Sequence, residues 1–457
     1  MNMVEKNIVK HVLSELFKKL ESEGIRYCIL HSYETLPDKV KTDVDIAIEK
    51  SGLKSIDRIL KVIADKNGLK IIQKIHHGYQ KYAYILSPTY IHEPFRLQID
   101  FFTDFSVRGY PKLVLNNFMI NHRKQYKNFF IPDPKVEFIF SILRRILKKE
   151  ITPSQISKLK ELYLEDISQC RNLLLKYFPE KIVNEISQII MNKDVDLFKS
   201  RNKIYKKQLL IRTLRRNFLF LPSYWISEIL RAIKRLRYPV GFTVAFLGPD
   251  GAGKSTIAKK VIYLASGSFH GTRIFYWRPE LFPQMGELVE LRKSKKRKQN
   301  LNPRPHDHKI QSPLKSIVRF WYYIVDYILG YYLKVFPLKV RKHLCVFDRY
   351  YYDFLVDLFR YNFNIPSWLP RFLLPIIPKP DIVIYLHASP EELYRRKKEL
   401  PFHELKRQIS VYQSILSKLP NAHQINTNKP IDEIVSEIVS LILKKKAGQT
   451  LSLLNID

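Results

Sequence analysis

Gly248-Pro249-Asp250-Gly251-Ala252-Gly253-Lys254-Ser255-Thr256 decides how this chain is read. It matches the pattern G-x-x-x-x-G-K-[ST]. An apolar run, Phe242–Leu247 (FTVAFL), leads into it, and a helical pattern opens at Lys254. Strand, glycine-rich loop, helix is the context the pattern requires. Glycines let backbone N–H groups converge on phosphate oxygens, and the helix N-terminus adds partial positive charge. The expected phosphate cradle is Gly248, Asp250, Gly251, Ala252, Gly253, Lys254, Ser255 and Thr256. Lys254 reaches the outer phosphates, and the Ser255 hydroxyl is a Mg²⁺ ligand.

Downstream, RIFYW (273–277), LCVF (344–347), DIVIYL (381–386) and HQIN (423–426) read as strands with helices between them. Strands alternating with helices predict a parallel sheet covered on both faces. One of these strands ends in Asp348-Arg349-Tyr350. A carboxylate there can hold the magnesium shell or take a proton from an acceptor, and Arg349 can clamp a phosphate.

The loop 248–256, Asp348-Arg349-Tyr350, Pro380–Leu386 followed by Ser389-Pro390-Glu391-Glu392, and Arg395-Arg396-Lys397 come in the order of the thymidylate kinase family, which residues 240–445 resemble. The resemblance implies a P-loop kinase with a five-stranded parallel sheet, using ATP and Mg²⁺. It implies catalytic roles for Lys254, Asp348, Arg349, Arg395 and Arg396, the last two in or near a lid over the phosphates, with Ser255 and Asp348 at the metal. Position 251 is glycine, so no arginine lies inside the loop and the lid is expected to supply one. The long stretch Phe282–Pro313 and the aromatic run Tyr350–Tyr352 depart from the family, and point to an acceptor other than thymidylate, larger or less polar.

The first 130 residues predict a smaller α/β domain, with strands at 25–30, 44–49, 69–75, 79–86 and 95–102, a helix from Ser51, and a turn at His76–Gly78. Asp43 and Asp45 alternate onto one strand face, and Asp100 ends another strand. Converging carboxylates of this kind can hold two Mg²⁺ ions. With Ser32 upstream, residues 22–130 resemble the nucleotidyltransferase fold, which would make Asp43, Asp45 and Asp100 metal ligands. His31 stands where that fold places glycine and blocks close approach of a triphosphate to the backbone. A domain that recognises a substrate without transferring to it is the alternative.

The expected order is therefore an N-terminal nucleotidyltransferase-like α/β domain (1–130), a helical spacer (131–200), a basic amphipathic linker (201–239), the P-loop kinase (240–445) and a tail (446–457). Ile317–Phe336 is apolar, but Arg319, Asp326 and Lys334 make it a buried, aromatic-rich core helix rather than a membrane span. The start of the chain reads as an amphipathic helix, not a signal peptide. Three scattered cysteines (Cys28, Cys170, Cys345) form neither a disulfide framework nor a metal site, and suit a reducing cytoplasm. Lys+Arg 78 against Asp+Glu 43 calls for anionic partners. The candidates are ATP, a small-molecule, glycan or lipid-linked acceptor of a cell-envelope or polysaccharide pathway, and an anionic membrane surface touched by Arg201–Tyr238 from the cytoplasmic side. Nucleic acid is the weaker partner, because no binding module is legible. An end-processing kinase with a nucleotidyltransferase, and an ATP-switched scaffold, are the rival readings.

Overall fold

The computed structural model describes residues 3–103, 116–217, 220–283 and 312–454. Most of the Phe282–Pro313 stretch, with the basic run Lys293–Lys298, lies outside them. The chain forms two units. Unit 1 comprises residues 1–87, 97–234 and 449–457, and unit 2 comprises residues 88–96 and 235–448. The segments read as 1–130, 131–200 and most of 201–239 thus belong to one unit, and a short internal segment, 88–96, belongs to the other.

Unit 1 opens with α1 (Met3–Ser22) and continues through β1 (Tyr27–Ile29), β2 (Val44–Ile48), α2 (Ile56–Lys66), β3 (Leu69–Gly78), β4 (Lys81–Pro88) and β5 (Leu97–Phe102). The strands form one sheet in the order β1-β2-β5-β4-β3. β2 and β5 run parallel, while β1 pairs antiparallel to β2 and β4 antiparallel to β5. The parallel pair is what brings Asp45 level with Asp100. The turn expected at His76–Gly78 lies two residues later, because β3 continues to Gly78 and His76 stacks on Tyr82 across the hairpin. α3 (Asn116–Asn121) and the hairpin β6 (Arg123–Tyr126) and β7 (Phe129–Pro132) lead to five helices: α4 (Pro134–Lys148), α5 (Pro153–Glu165), α6 (Ile167–Leu175), α7 (Glu180–Asn192) and α8 (Val195–Asn217). Their starts follow local chemistry. Asp133 caps α4 with Pro134 at its first position, and Thr152 and Gln155 form a capping box on α5. A core running from Phe138 and Ile142 to Ile190 and Tyr205 joins these helices to β1 and β2 through Cys28 and Ala47.

α9 (Phe220–Arg237) carries the chain to unit 2. There follow β8 (Phe242–Leu247), α10 (Lys254–Ala265), β9 (Gly271–Tyr276), α11 (Pro313–Gly330), α12 (Phe336–Val340), β10 (His343–Asp348), α13 (Trp368–Leu373), β11 (Ile382–His387), α14 (Pro390–Arg396), α15 (Phe402–Leu416), β12 (Ala422–Asn426) and α16 (Ile431–Leu451). The sheet has the order β12-β11-β8-β10-β9, and every pairing is parallel. All six residues of β8 are buried, as a central parallel strand covered on both faces requires. The five-stranded parallel sheet expected for this half is thus present.

The expected core helix 317–336 is interrupted. α11 ends at Gly330, a single π-helical turn spans Tyr331–Val335, and α12 follows. α11 buries Phe320, Tyr323, Ile324 and Tyr327 but leaves Val318, Trp321 and Val325 exposed, so only one face is core. No helix among the described residues is long and apolar enough to cross a membrane.

Candidate functional site

β8 delivers the loop 248–256 to the carboxyl end of the sheet centre, where strand order places ligands in open α/β folds. Gly248, Gly251 and Gly253 all have positive φ, at 144°, 85° and 82°. At Gly251 a Cβ would lie 3.1 Å from the Leu393 carbonyl oxygen and 3.3 Å from Lys397 Cβ. The end of α14 therefore packs against the loop, which is the reason no longer side chain stands at 251.

β10 lies beside β8 with Asp348 level with Phe246. Asp348 thereby meets the first turn of α10, and the Ser255 hydroxyl donates to its carboxylate. Lys254 is buried, and its ammonium donates to the carbonyls of Gly248 (2.7 Å) and Pro249 (2.8 Å). Burial, with Arg349 beside it, pushes this ammonium down to about 7.

Arg349 has φ 79°, an unusual conformation for arginine that costs roughly 1–3 kcal/mol unless its surroundings hold it. Its N–H donates to the Phe246 carbonyl (3.1 Å), and its guanidinium donates to Asp353 (2.8 Å) and to Asp250. Asp353 also accepts from Tyr412 (3.0 Å) and Tyr361 (3.3 Å). Asp250 takes a second arginine, Arg360. Burial opposes ionisation of Asp250, but Arg349, Lys254 and Arg360 outweigh it and hold its carboxyl far below the usual range. Both arginines stay charged despite burial, for the converse reason.

These groups line a cleft of about 350 Å³ with Gly251, Gly253, Thr256, Tyr276, Arg396 and Lys397. Of the expected lid cations, Arg396 and Lys397 reach this wall. Arg396 is held by Glu392 (2.9 Å) and by Thr427. Arg395 does not reach it: its side chain is 78% exposed and pairs with Glu392 at 2.6 Å. Tyr350, Tyr351 and Tyr352 are buried in the aromatic core around Trp277 and Phe354, and none lines the cleft. The aromatic run thus builds the core rather than an acceptor pocket. A second cavity, about 570 Å³, is lined by Phe354–Phe359, Arg371, His403 and Arg407. Asp357 on its wall accepts from the backbone N–H of Arg360 (3.0 Å), so the two cavities share the 357–360 turn.

Arg360 is the residue that sequence reading missed. It lies 110 positions from Asp250, and no local motif announces the contact.

In unit 1 the expected carboxylates do come near one another. Gln98 donates to Asp43 (3.1 Å) and to Asp100 (2.8 Å). Asp45 pairs with His31 at 2.6 Å and faces Arg144 at 3.8 Å. Burial would raise the Asp45 carboxyl, but the His31 hydrogen bond and the nearby cations lower it. Lys81 is pushed down by burial and by Arg144, with Lys148 adding to the crowding. Protein cations thus already surround Asp45. Among the described residues no three or more His, Cys, Asp or Glu side chains are grouped to hold a metal ion, so the trio Asp43, Asp45 and Asp100 does not assemble as the expected ligand set.

No family model matches the chain, and no curated protein matches it. Among solved structures, thymidylate kinase from Candida albicans is similar at 17% identity and TM-score 0.33, covering 45% of this chain and 93% of that one. Thymidylate kinase from Ehrlichia chaffeensis is similar at 17% identity and TM-score 0.29, covering 44% of this chain and 98% of its own. Such likeness concerns chain path and says nothing of substrate.

Proposed function

We propose that unit 2 is an ATP-dependent phosphotransferase. The observation that carries this reading is the convergence, at one end of the parallel sheet, of the loop 248–256, the Ser255–Asp348 pair and the cations Lys254, Arg349, Arg360 and Arg396. Phosphoryl transfer passes through a transition state with charge spread over the moving group, so positioned cations and backbone donors do most of the work. The Ser255 hydroxyl offers a hard oxygen donor that fits Mg²⁺, with Asp348 beside it to hold the ion's water shell, and the ion when bound would neutralise phosphate charge. Lys254 leaves the loop carbonyls for the outer phosphates. Asp348 takes up the acceptor proton. Arg349 and Arg360 release Asp250 to hold the acceptor and the transferring group, and Arg396 closes the opposite wall.

The acceptor in this reading is not thymidylate but a bulkier cell-envelope or polysaccharide intermediate, glycan or lipid-linked. The second cavity supports this, because it offers apolar walls and two arginines beyond the 357–360 turn. Unit 1 serves as a nucleotidyltransferase-like recognition domain on the cytoplasmic side, and residues 201–239 bring the protein to an anionic membrane.

The test is incubation of the full chain with Mg-[γ-³²P]ATP and panels of nucleoside monophosphates, sugars, polyprenyl glycans and 5′-hydroxyl oligonucleotides. Label on a glycan or lipid-linked acceptor is expected. Thymidylate turnover in the ordinary kinase range of roughly 1–100 s⁻¹ would overturn the acceptor assignment. Label on oligonucleotides would favour end-processing, and ATP binding with no label anywhere would favour a scaffold.

A further inference from the structure

α9 is inside out. Along its length Trp225, Ile226, Ile229, Leu230, Ile233 and Leu236 are between 52% and 61% exposed. Their spacing puts them on one face of the helix. The other face is polar and turned inward. Tyr224 is buried against Tyr79 (ring centroids 5.7 Å), and Glu228 and Arg231 pair with each other with side chains only 16% and 15% exposed. Arg235 donates to the Val340 carbonyl at 2.8 Å. A water-facing helix normally shows the reverse arrangement. Exposed apolar faces of this length mark a binding surface.

We infer that this face of α9 lies in the headgroup layer of an anionic lipid bilayer, with the helix parallel to the membrane plane. The inference deepens the membrane contact in the proposed function and rests on that part of it. The occupant follows from charge. α9 holds four cations and one acid, Glu228; Arg231 pairs with that acid and Arg235 reaches the Val340 carbonyl on the inward face. Lys234 and Arg237 flank the apolar residues in exposed positions. A second copy of the chain would set this cationic surface against itself, since a two-fold interface pairs a patch with the same patch. Nucleic acid would meet apolar side chains where phosphates require cations. A bilayer with anionic headgroups satisfies both: the acyl boundary takes the Ile, Leu and Trp side chains, and the phosphates take Lys234 and Arg237. The apolar residues, rather than the cations that dominate the composition, make the contact that salt cannot screen.

The experiment is co-sedimentation of the full-length protein with vesicles of phosphatidylcholine alone or mixed equally with phosphatidylglycerol. The expected result is binding to the mixed vesicles only, with a blue shift of tryptophan emission that Trp225→Phe removes. Replacing Ile229, Leu230 and Ile233 together by Gln keeps the charge and is expected to weaken binding at least tenfold, with circular dichroism unchanged. Lys234→Gln with Arg237→Gln is expected to weaken it a few-fold and flatten its salt dependence. Equal binding of the triple-Gln and native proteins would overturn the inference, as would no binding to mixed vesicles. Concentration-dependent dimerisation lost in the triple-Gln protein would overturn it in favour of a second copy. Mg-ATP binding by the same samples without vesicles reports on the kinase reading alone, so the two can fail separately.

Discussion

Lys254 is buried beside Arg349, and this has a measurable consequence. Its ammonium sits at about 7 in the free cleft, from burial first and Arg349 second. A triphosphate restores the charge's favourable surroundings and raises that value. Nucleotide binding at pH 8 is therefore expected to take up as much as one proton. Calorimetry in buffers of different ionisation enthalpy reads the uptake directly, and Lys254→Met should abolish it together with phosphoryl transfer. The same depression acts on folding: between about 7 and about 10.4 the unfolded chain binds more protons at this site, so its contribution to stability rises with pH through that window. Arg360 makes a second residue-level test. Its guanidinium shares Asp250 with Arg349, so Arg360→Met should lower kcat about 100-fold and leave KM for ATP within about threefold. Arg395→Ala, whose side chain is mostly exposed, should stay within about twofold of native turnover. Steady-state kinetics on the three proteins distinguishes the assignments.

Among the elements, the junction of β8 and the loop 248–256 admits little change. Gly248 has φ 144°, and a Cβ there would come 2.4 Å from the Leu386 carbonyl oxygen at the end of β11. That atom is backbone and cannot swing aside. Gly248→Ala should cost at least about 2 kcal/mol in urea unfolding and remove ATP binding, since the loop must leave the sheet to accommodate it. The glycine spacing was readable from the motif alone. The neighbour that makes Gly248 necessary was not, because β11 lies about 140 residues further on. The same holds for α9: composition announced a basic amphipathic segment, but which face turns outward depends on what Tyr224 and Arg235 find to pack against.

At the scale of the whole molecule, residues 88–96 leave unit 1 between β4 and β5 and belong to unit 2. Ile91 and Phe95 are buried there, Ser436 donates to the Ile91 carbonyl (3.3 Å), and Gly267 packs so closely that a Cβ would touch the Phe95 backbone. A fragment of residues 235–448 lacks this segment. It should be less stable than unit 2 of the full chain by about 3–6 kcal/mol, from the lost burial of two large side chains, as chemical denaturation would show. Local patterning yielded the alternating strands and helices of the parallel sheet and the loop 248–256 with Lys254 and Ser255, because spacing within a strand–turn–helix unit is a local property; Asp348 was legible as a strand-end carboxylate, but its contact with Ser255 spans 93 positions. The same patterning placed the N-terminal strands to within a few residues, since alternation is local too. Folding alone settles that Arg360 joins Arg349 on Asp250, that Arg395 stays outside while Arg396 lines the cleft, that His31 and Arg144 surround Asp45, and that unit 2 borrows residues 88–96. Those outcomes depend on contacts between residues far apart in the chain. Their energies come from burial and charge pairing, which no window of sequence contains.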